Sequence, residues 1–175
     1  VDAENSAAAR VKQDIVHTSE GEKYEKFLSQ ISSRDGSIIV FMRTKHSTEK
    51  MAARLTKEGY KANAINGDLR QNKRDRVINN FRNKKYRILV ATDVASRGLD
   101  IPHIEHVINY DLPECPEDYV HRIGRTGRAG AEGFALCFVT PSDKHKWSAI
   151  SRLLNPSSKP DTASKRKITQ ENEFR

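Results

Sequence analysis

Between Asp14 and Leu154, short apolar runs alternate with stretches in which apolar residues recur every three or four positions. The first pattern suits strands buried on both faces, and the second suits helices with one apolar stripe. The order begins with a strand near Asp14–His17, then a helix from Glu20 to Ile31 carrying Tyr24, Phe27, Leu28 and Ile31 on one side. Ser37–Phe41 reads as a strand, and Ser47–Glu58 as a helix with Met51, Ala52 and Leu55 at helical spacing, ended by Gly59. A weaker strand at Lys61–Ile65 precedes a helix at Gln71–Arg82, whose Val77, Ile78 and Phe81 face inward. Strands follow at Arg87–Ala91, His106–Tyr110 and Gly133–Val139. Between the last two, a helix begins at Pro116, where a missing N–H costs nothing, and a final helix spans Ser142–Leu154. Such alternation predicts an α/β fold of three layers, α/β/α, around a mainly parallel sheet of about six strands, with functional loops at the strands' carboxyl ends.

The length, 175 residues, suits one domain. Residues 1–10, VDAENSAAAR, lack buried periodicity and are expected to be a linker, so the domain is expected over 11–154. Residues 155–175 lose apolar content and gain Pro, Ser and Lys, which predicts a flexible basic tail. Thirty-one Lys and Arg against twenty-three Asp and Glu give a net charge of +8, which favours a polyanionic partner, nucleic acid first. Cys115 and Cys137 are too few for a disulfide framework and lack zinc-site spacing. His17, His46, His103, His106 and His145 are scattered, so no metal site is predicted. No apolar run is long enough to span a bilayer, and a cytoplasmic, reducing location is expected.

The densest chemistry lies in HRIGRTGR, His121 to Arg128. A guanidinium keeps its charge and offers a planar fork of donors matched to phosphate oxygens, so three close arginines suit a polyphosphate. A helix through Tyr119–Gly124 would deliver Arg122 and Arg125 from its end, and Gly127 would let the chain turn toward Arg128. Elsewhere, Thr44 follows a buried strand and precedes a helix, where its hydroxyl and the amides around Ser47 are placed for a phosphate. Ser47 or Thr48 as a plain helix cap is an equally open reading. Thr92 also follows a strand, where an exposed hydroxyl would meet a phosphate, and Gly98 permits close backbone approach. Asp93 is placed to orient a nearby arginine, and Asn109, Tyr110 and Asp111 read as a strand end before the turn at Pro113.

Four stretches in order, IIVFMRTKHSTEKMAARL, NGDLRQNKR, ATDVASRGLDIP followed by HVINYDLP, and YVHRIGRTGRAG, resemble the C-terminal, RecA-like lobe of DEAD-box RNA helicases. DEAH-type relatives usually begin the last motif with glutamine, so His121 favours the DEAD-box branch. The resemblance covers about Val11 to Leu154 and implies an RNA-dependent ATPase that unwinds short duplexes locally, with residues 1–10 leading from a missing N-terminal lobe. It implies RNA-backbone contacts at Thr44, Gly67, Gln71, Arg74, Thr92 and Arg97, with little sequence preference. Asn66 departs from the histidine common in the family's pattern, which puts one local contact in doubt. The same resemblance places Gly98, Asp100, Arg125 and Arg128 on the ATP side, Asp100 accepting from a ribose hydroxyl and the two arginines reaching the γ-phosphate. His121 and Arg122 are implied to link to the other lobe's catalytic loops. Neither a Gly-x-x-x-x-Gly-Lys-Ser/Thr phosphate loop nor an Asp-Glu-Ala-Asp run occurs here. Magnesium is therefore expected mainly on the N-terminal lobe, and this lobe alone, a monomer, is expected to be inactive. Two alternatives stand beside this reading: a non-catalytic RNA-binding module, and the lobe of a DNA-directed superfamily 2 translocase.

Overall fold

A computed structural model describes residues 11–97, 104–127 and 131–156. Its elements are β1 (Val11–His17), α1 (Lys23–Ser32), β2 (Ile38–Phe41), α2 (Lys45–Lys57), β3 (Ala62–Ile65) and α3 (Gln71–Arg82). They continue as β4 (Ile88–Ala91), α4 (Asp93–Ser96), β5 (His106–Asn109), α5 (Pro116–Ile123), β6 (Gly133–Val139) and α6 (Lys144–Leu154), with a short 3-10 turn at Pro141–Asp143. The linker expected over residues 1–10 and the tail from 157 onward lie outside the described residues.

All six strands lie in one sheet, ordered β1-β6-β5-β2-β4-β3, and every pairing is parallel. The three-layer expectation holds, with a sheet parallel throughout. Because side chains alternate along a strand, each apolar run feeds two cores. Ile39, Phe41, Leu89, Ala91, Val107 and Cys137 face one side, under α3, α4, α5 and α6. Ile38, Val40, Ile88, Val90, Ile108 and Phe138 face the other, under α1 and α2. Phe27 of α1 is fully buried there, its ring edge-on to Tyr110 at 5.0 Å and to Phe138 at 6.2 Å. Full burial of a side chain of this size contributes about 1.5–3 kcal/mol.

Gly59 ends α2 as its position suggests. Its φ is +93°, and it lets the Tyr60 amide reach back to the Leu55 carbonyl at 3.0 Å while its own amide bonds Thr56 at 3.0 Å. Several boundaries differ from the sequence reading. β1 begins at Val11, three residues early, because pairing with β6 from Gly133 outweighs the polar Lys12, Gln13 and Asp14. α1 begins at Lys23 rather than Glu20, and α2 at Lys45 rather than Ser47 because Thr44 is the cap. The 3-10 turn delays α6 to Lys144. The loop expected after Thr92 opens instead with the helical turn α4.

β2 lies between β5 and β4. The chain leaving β2 crosses toward β3, and the chain leaving β5 goes the other way toward β6. The carboxyl ends of β2 and β5 therefore flank a topological switch point, the usual place for a ligand crevice in such a sheet.

Candidate functional site

α5 carries the first half of HRIGRTGR, with Pro116 at its start, Glu117 and Asp118 in its first turn and His121 and Arg122 in its last. Acidic residues at the positive end and basic ones at the negative end both favour the helix dipole. Its inner stripe of Tyr119, Val120 and Ile123 is buried against the sheet. The Tyr119 hydroxyl donates to Gln13 Oε1 at 2.8 Å, and burial raises its pKa.

Arg122 is the largest of the nearly fully buried side chains, 1% of the side chain being exposed. It forms a two-pronged pair with Asp93, Nε to Oδ1 at 2.6 Å and Nη2 to Oδ2 at 2.8 Å. Nη1 donates to Asn109 Oδ1 at 3.2 Å and to the Asp111 carbonyl at 2.5 Å, and the group lies 5.0 Å from the Phe41 ring centre. One guanidinium thus ties α5 to the ends of β4 and β5 across the switch point. Its donors point into the domain, where they position α5. Asp93 orients an arginine as expected, and Asn109 and Asp111, read only as a strand end, supply the rest of the clamp. Asp111 also accepts from the Arg43 amide at 2.9 Å and pairs with Lys23 at 3.5 Å. Tyr110 between them is pushed up to about 12 by burial and by the Asp111 charge.

Thr44 caps α2. Its hydroxyl oxygen accepts from the Ser47 amide at 3.1 Å, and Ser47 Oγ accepts from the Thr44 amide at 3.3 Å. Thr44 remains exposed and Ser47 is half-buried. Gly67 lies in the turn after β3, and there the buried Asn66 donates to Glu49 Oε1 at 2.9 Å while accepting from the Asp68 amide at 3.0 Å. Asn66 therefore organises the turn where the family pattern has a histidine. Gln71 donates to Asp75 at 2.9 Å along α3, and Arg74 donates to the Ala95 carbonyl at 3.0 Å, joining α3 to α4. Thr92 caps α4, accepting from the Ala95 amide at 3.4 Å. Its residue is only 6% exposed, which corrects the expectation of an exposed hydroxyl: the turn of α4 folds back over it. Arg97 is exposed and pairs with Asp118 of α5, whose carboxylate also lies 3.7 Å from His121 Nδ1.

Arg125 donates to the Ser96 carbonyl at 2.6 Å. Gly127 has a φ of +66°, and a side chain at Gly133 would meet its amide nitrogen at 2.4 Å, so the loop rests directly on the start of β6. Gly98, Asp100 and Arg128 lie outside the described residues. Among the described residues, no group of three or more His, Cys, Asp or Glu is gathered that could hold a metal ion. Arg43, Thr44, Arg97, His121 and Arg125 thus lie on the carboxyl side of the sheet, the Arg43 amide held by Asp111, Arg97 and His121 beside Asp118, and Arg125 on the Ser96 carbonyl.

Residues 22–130 match the family described as the helicase conserved C-terminal domain. The structure of the C-terminal domain of the DEAD-box protein Dbp5 superposes with a TM-score of 0.77 at 34% identity, covering 85% of this chain and 88% of that one. The chain belongs to the DEAD-box helicase C-terminal domain family. A DEAD box protein from the hyperthermophile Methanococcus jannaschii gives a TM-score of 0.79 at 43% identity, over 83% of this chain and 40% of that one. The ATP-dependent RNA helicase CshA of Limosilactobacillus reuteri is 45% identical over 157 residues, which are 87% of this chain and 32% of that protein. RhlB of Pseudomonas syringae, also an ATP-dependent RNA helicase, is 42% identical over 156 residues, 88% of this chain and 39% of that protein. The chain spans about a third of the length of these curated relatives.

Within this DEAD-box domain, sequence reasoning missed the ordering parts: the Ser96 carbonyl under Arg125, the Asp118 carboxylate beside Arg97, and Gly133 beneath Gly127. A backbone acceptor leaves no mark in sequence. The carboxylate did leave one, since Asp118 lies one helical turn before Arg122 and beside the motif.

Proposed function

We propose that this chain is the second lobe of an RNA-dependent ATPase that holds RNA by its backbone and completes an ATP site for local duplex unwinding. One observation carries the reading: the Arg122 clamp fixes α5 so that His121 and Arg125 leave its end on the rim that also carries Thr44 and Arg97. The donor set suits a polyphosphate. Of the carboxylates that bind this region, Asp93 is taken by Arg122, Asp111 by Lys23 and the Arg43 amide, and Asp118 by Arg97 with His121 beside it. ATP supplies the transferable phosphoryl group and its developing negative charge. On this side Arg125, its fork oriented by the Ser96 carbonyl, meets that charge together with Arg128, while Gly98 and Asp100 border the ribose. Magnesium is assigned mainly to the N-terminal lobe. His121 faces that lobe from the exposed side of α5. Thr44, Gly67, Gln71, Arg74, Thr92 and Arg97 form the RNA side, with Arg74 and the buried Thr92 shaping α4 rather than standing free.

The decisive measurement joins this chain to a DEAD-box N-terminal lobe at saturating RNA and ATP. Arg125→Ala then lowers the turnover number by roughly a thousandfold while nucleotide affinity changes little, because a transferring phosphoryl group gains charge in the transition state. A turnover number within a fewfold of wild type with only a raised KM for ATP overturns the catalytic role. The chain alone shows no RNA-stimulated hydrolysis, and reproducible hydrolysis by it overturns the two-lobe reading. Stimulation of the joined protein by DNA as strongly as by RNA would instead favour the DNA-directed alternative.

A further inference from the structure

A second concave surface opens at the carboxyl ends of β1 and β6, a groove of about 600 Å³ between the start of α1 and the face of α6. Trp147 and Pro141 form its apolar wall, and His17, Lys26 and Lys144 bring cationic or protonatable groups to it. None of its lining residues carries a carboxylate. Asp143, beside the lining, spends its carboxylate on the Thr140 amide at 3.0 Å and hydroxyl at 2.9 Å. The groove at the opposite end of the sheet, by contrast, holds Glu105 among its arginines.

Trp147 is half-buried, its ring edge-on to Tyr119 at 6.1 Å, so α5 and the core brace it. Lys144, Trp147 and Ser148 share one side of α6 by helical spacing. Lys26, which lines the groove, donates to the His17 carbonyl at 3.3 Å and pairs with Glu22 of the preceding turn at 3.6 Å. Lys144 forms no ion pair among the described residues. A braced aromatic ring with two ammonium groups beside it, and no carboxylate in its lining, is the composition that takes single-stranded nucleic acid, a base on the ring and a phosphate on the cations.

The groove is also joined to the site already described. Glu114 reaches Lys146 at 2.9 Å and Arg43 at 3.7 Å, so the residue beside Trp147 and the residue beside Thr44 meet on one carboxylate.

We propose that this groove takes one nucleotide of single-stranded RNA, its base against Trp147 and its phosphate on Lys26 and Lys144, where the strand leaves the Thr44 rim. This rests on the reading that the rim holds RNA. Neither lysine belongs to the nucleotide-facing set, so the groove adds affinity and fixes the path of the strand without entering the chemistry.

Trp147 is the chain's single tryptophan, so its fluorescence reports on this groove alone. The test titrates labelled oligouridylate of about a dozen nucleotides into the whole chain at low salt, following label anisotropy and tryptophan emission together, with an oligomer of about four as the short control. The expected result is saturable quenching of Trp147 by the longer oligomer at the same midpoint as the anisotropy change, with roughly tenfold weaker binding of the short one. Lys26→Ala/Lys144→Ala removes most of the quench and lowers the log-log salt slope by about 0.7 for each phosphate that is no longer neutralised. Arg74→Ala, on the rim, weakens binding but leaves the quench at saturation. Binding that is normal by anisotropy and still sensitive to Arg74→Ala, yet silent at Trp147, overturns the groove and leaves the rim standing. Quenching indifferent to the double substitution overturns it too. Absence of any binding by anisotropy overturns both readings.

Discussion

A guanidinium as enclosed as that of Arg122 is tolerable because every face of it is answered: a carboxylate on one edge, a side-chain amide and a carbonyl on the other, a phenyl ring beside it. Removing one partner leaves a charge in the interior, which costs about 3–5 kcal/mol, far more than any surface pair. Asp93→Ala is therefore expected to lower unfolding stability by about 3 kcal/mol in urea titrations. Arg122→Lys should recover less than half of what Arg122→Ala loses, since an ammonium cannot fork toward both Asp93 and Asn109. His106 makes a second case. A carbonyl can only accept and a guanidinium can only donate, so its Nε2–H donates to the Asp35 carbonyl at 2.8 Å while Nδ1 accepts from Arg34 at 3.0 Å. The ring is thus neutral, and its pKa is lowered by burial first, with the Arg34 and Arg87 charges adding to the effect. An unfolded histidine takes its proton near pH 6.5, before the folded one does, so its contribution is intact above that value and is lost as pH falls below it. A single group can account for at most about 1.4 kcal/mol per pH unit. Urea midpoints at pH 7.5 and 5.5 check this, and His106→Gln, which keeps a donor and an acceptor but does not titrate, should shrink the difference between them.

The four central strands were legible because they are buried on both faces, which writes itself as unbroken runs such as Ile38–Phe41 and Ile88–Ala91. Helices with one inner stripe were equally plain. α4 was not, because four residues are too few for a helical period, and what holds it is the Thr92 cap with the Arg74 side chain on the Ala95 carbonyl. The arginines of the motif were legible as chemistry, but not the inward course of Arg122: a cation in a run of cations reads as surface until its partners are known, and those lie on two other elements. Thr44 was read as a phosphate contact, and in the structure it is the cap of α2. Ser47→Ala removes one half of that reciprocal cap and should cost about 1 kcal/mol, seen as a lowered thermal midpoint with unchanged helix content at room temperature. Gly133 offers a sharper test. Even one methyl there meets the Gly127 backbone at under 3 Å, so Gly133→Ala should cost roughly 1–3 kcal/mol and displace the Thr126–Gly127 turn, visible as shifted amide resonances there.

Taken whole, the domain gathers its candidate chemistry on one rim and leaves the sheet's two outer strands, β1 and β3, to frame it. β1 has a further consequence, one that concerns time rather than place. It is the first strand of the fold, yet its partner is the last: Val11 lies opposite Gly133 and His17 opposite Val139. As the polypeptide emerges from a ribosome, β2, β4 and β5 can pair while β1 still has no neighbour. The seven residues of β1, with Ile15 open to solvent even in the finished protein, must wait until β6 has been made. Contacts between distant parts of a chain are slow to form, and an unpaired strand edge is prone to pair wrongly meanwhile. Docking of β1 should therefore be the final folding event, and a circular permutant that moves residues 11–17 to follow β6 through a suitable linker should refold faster than the natural order.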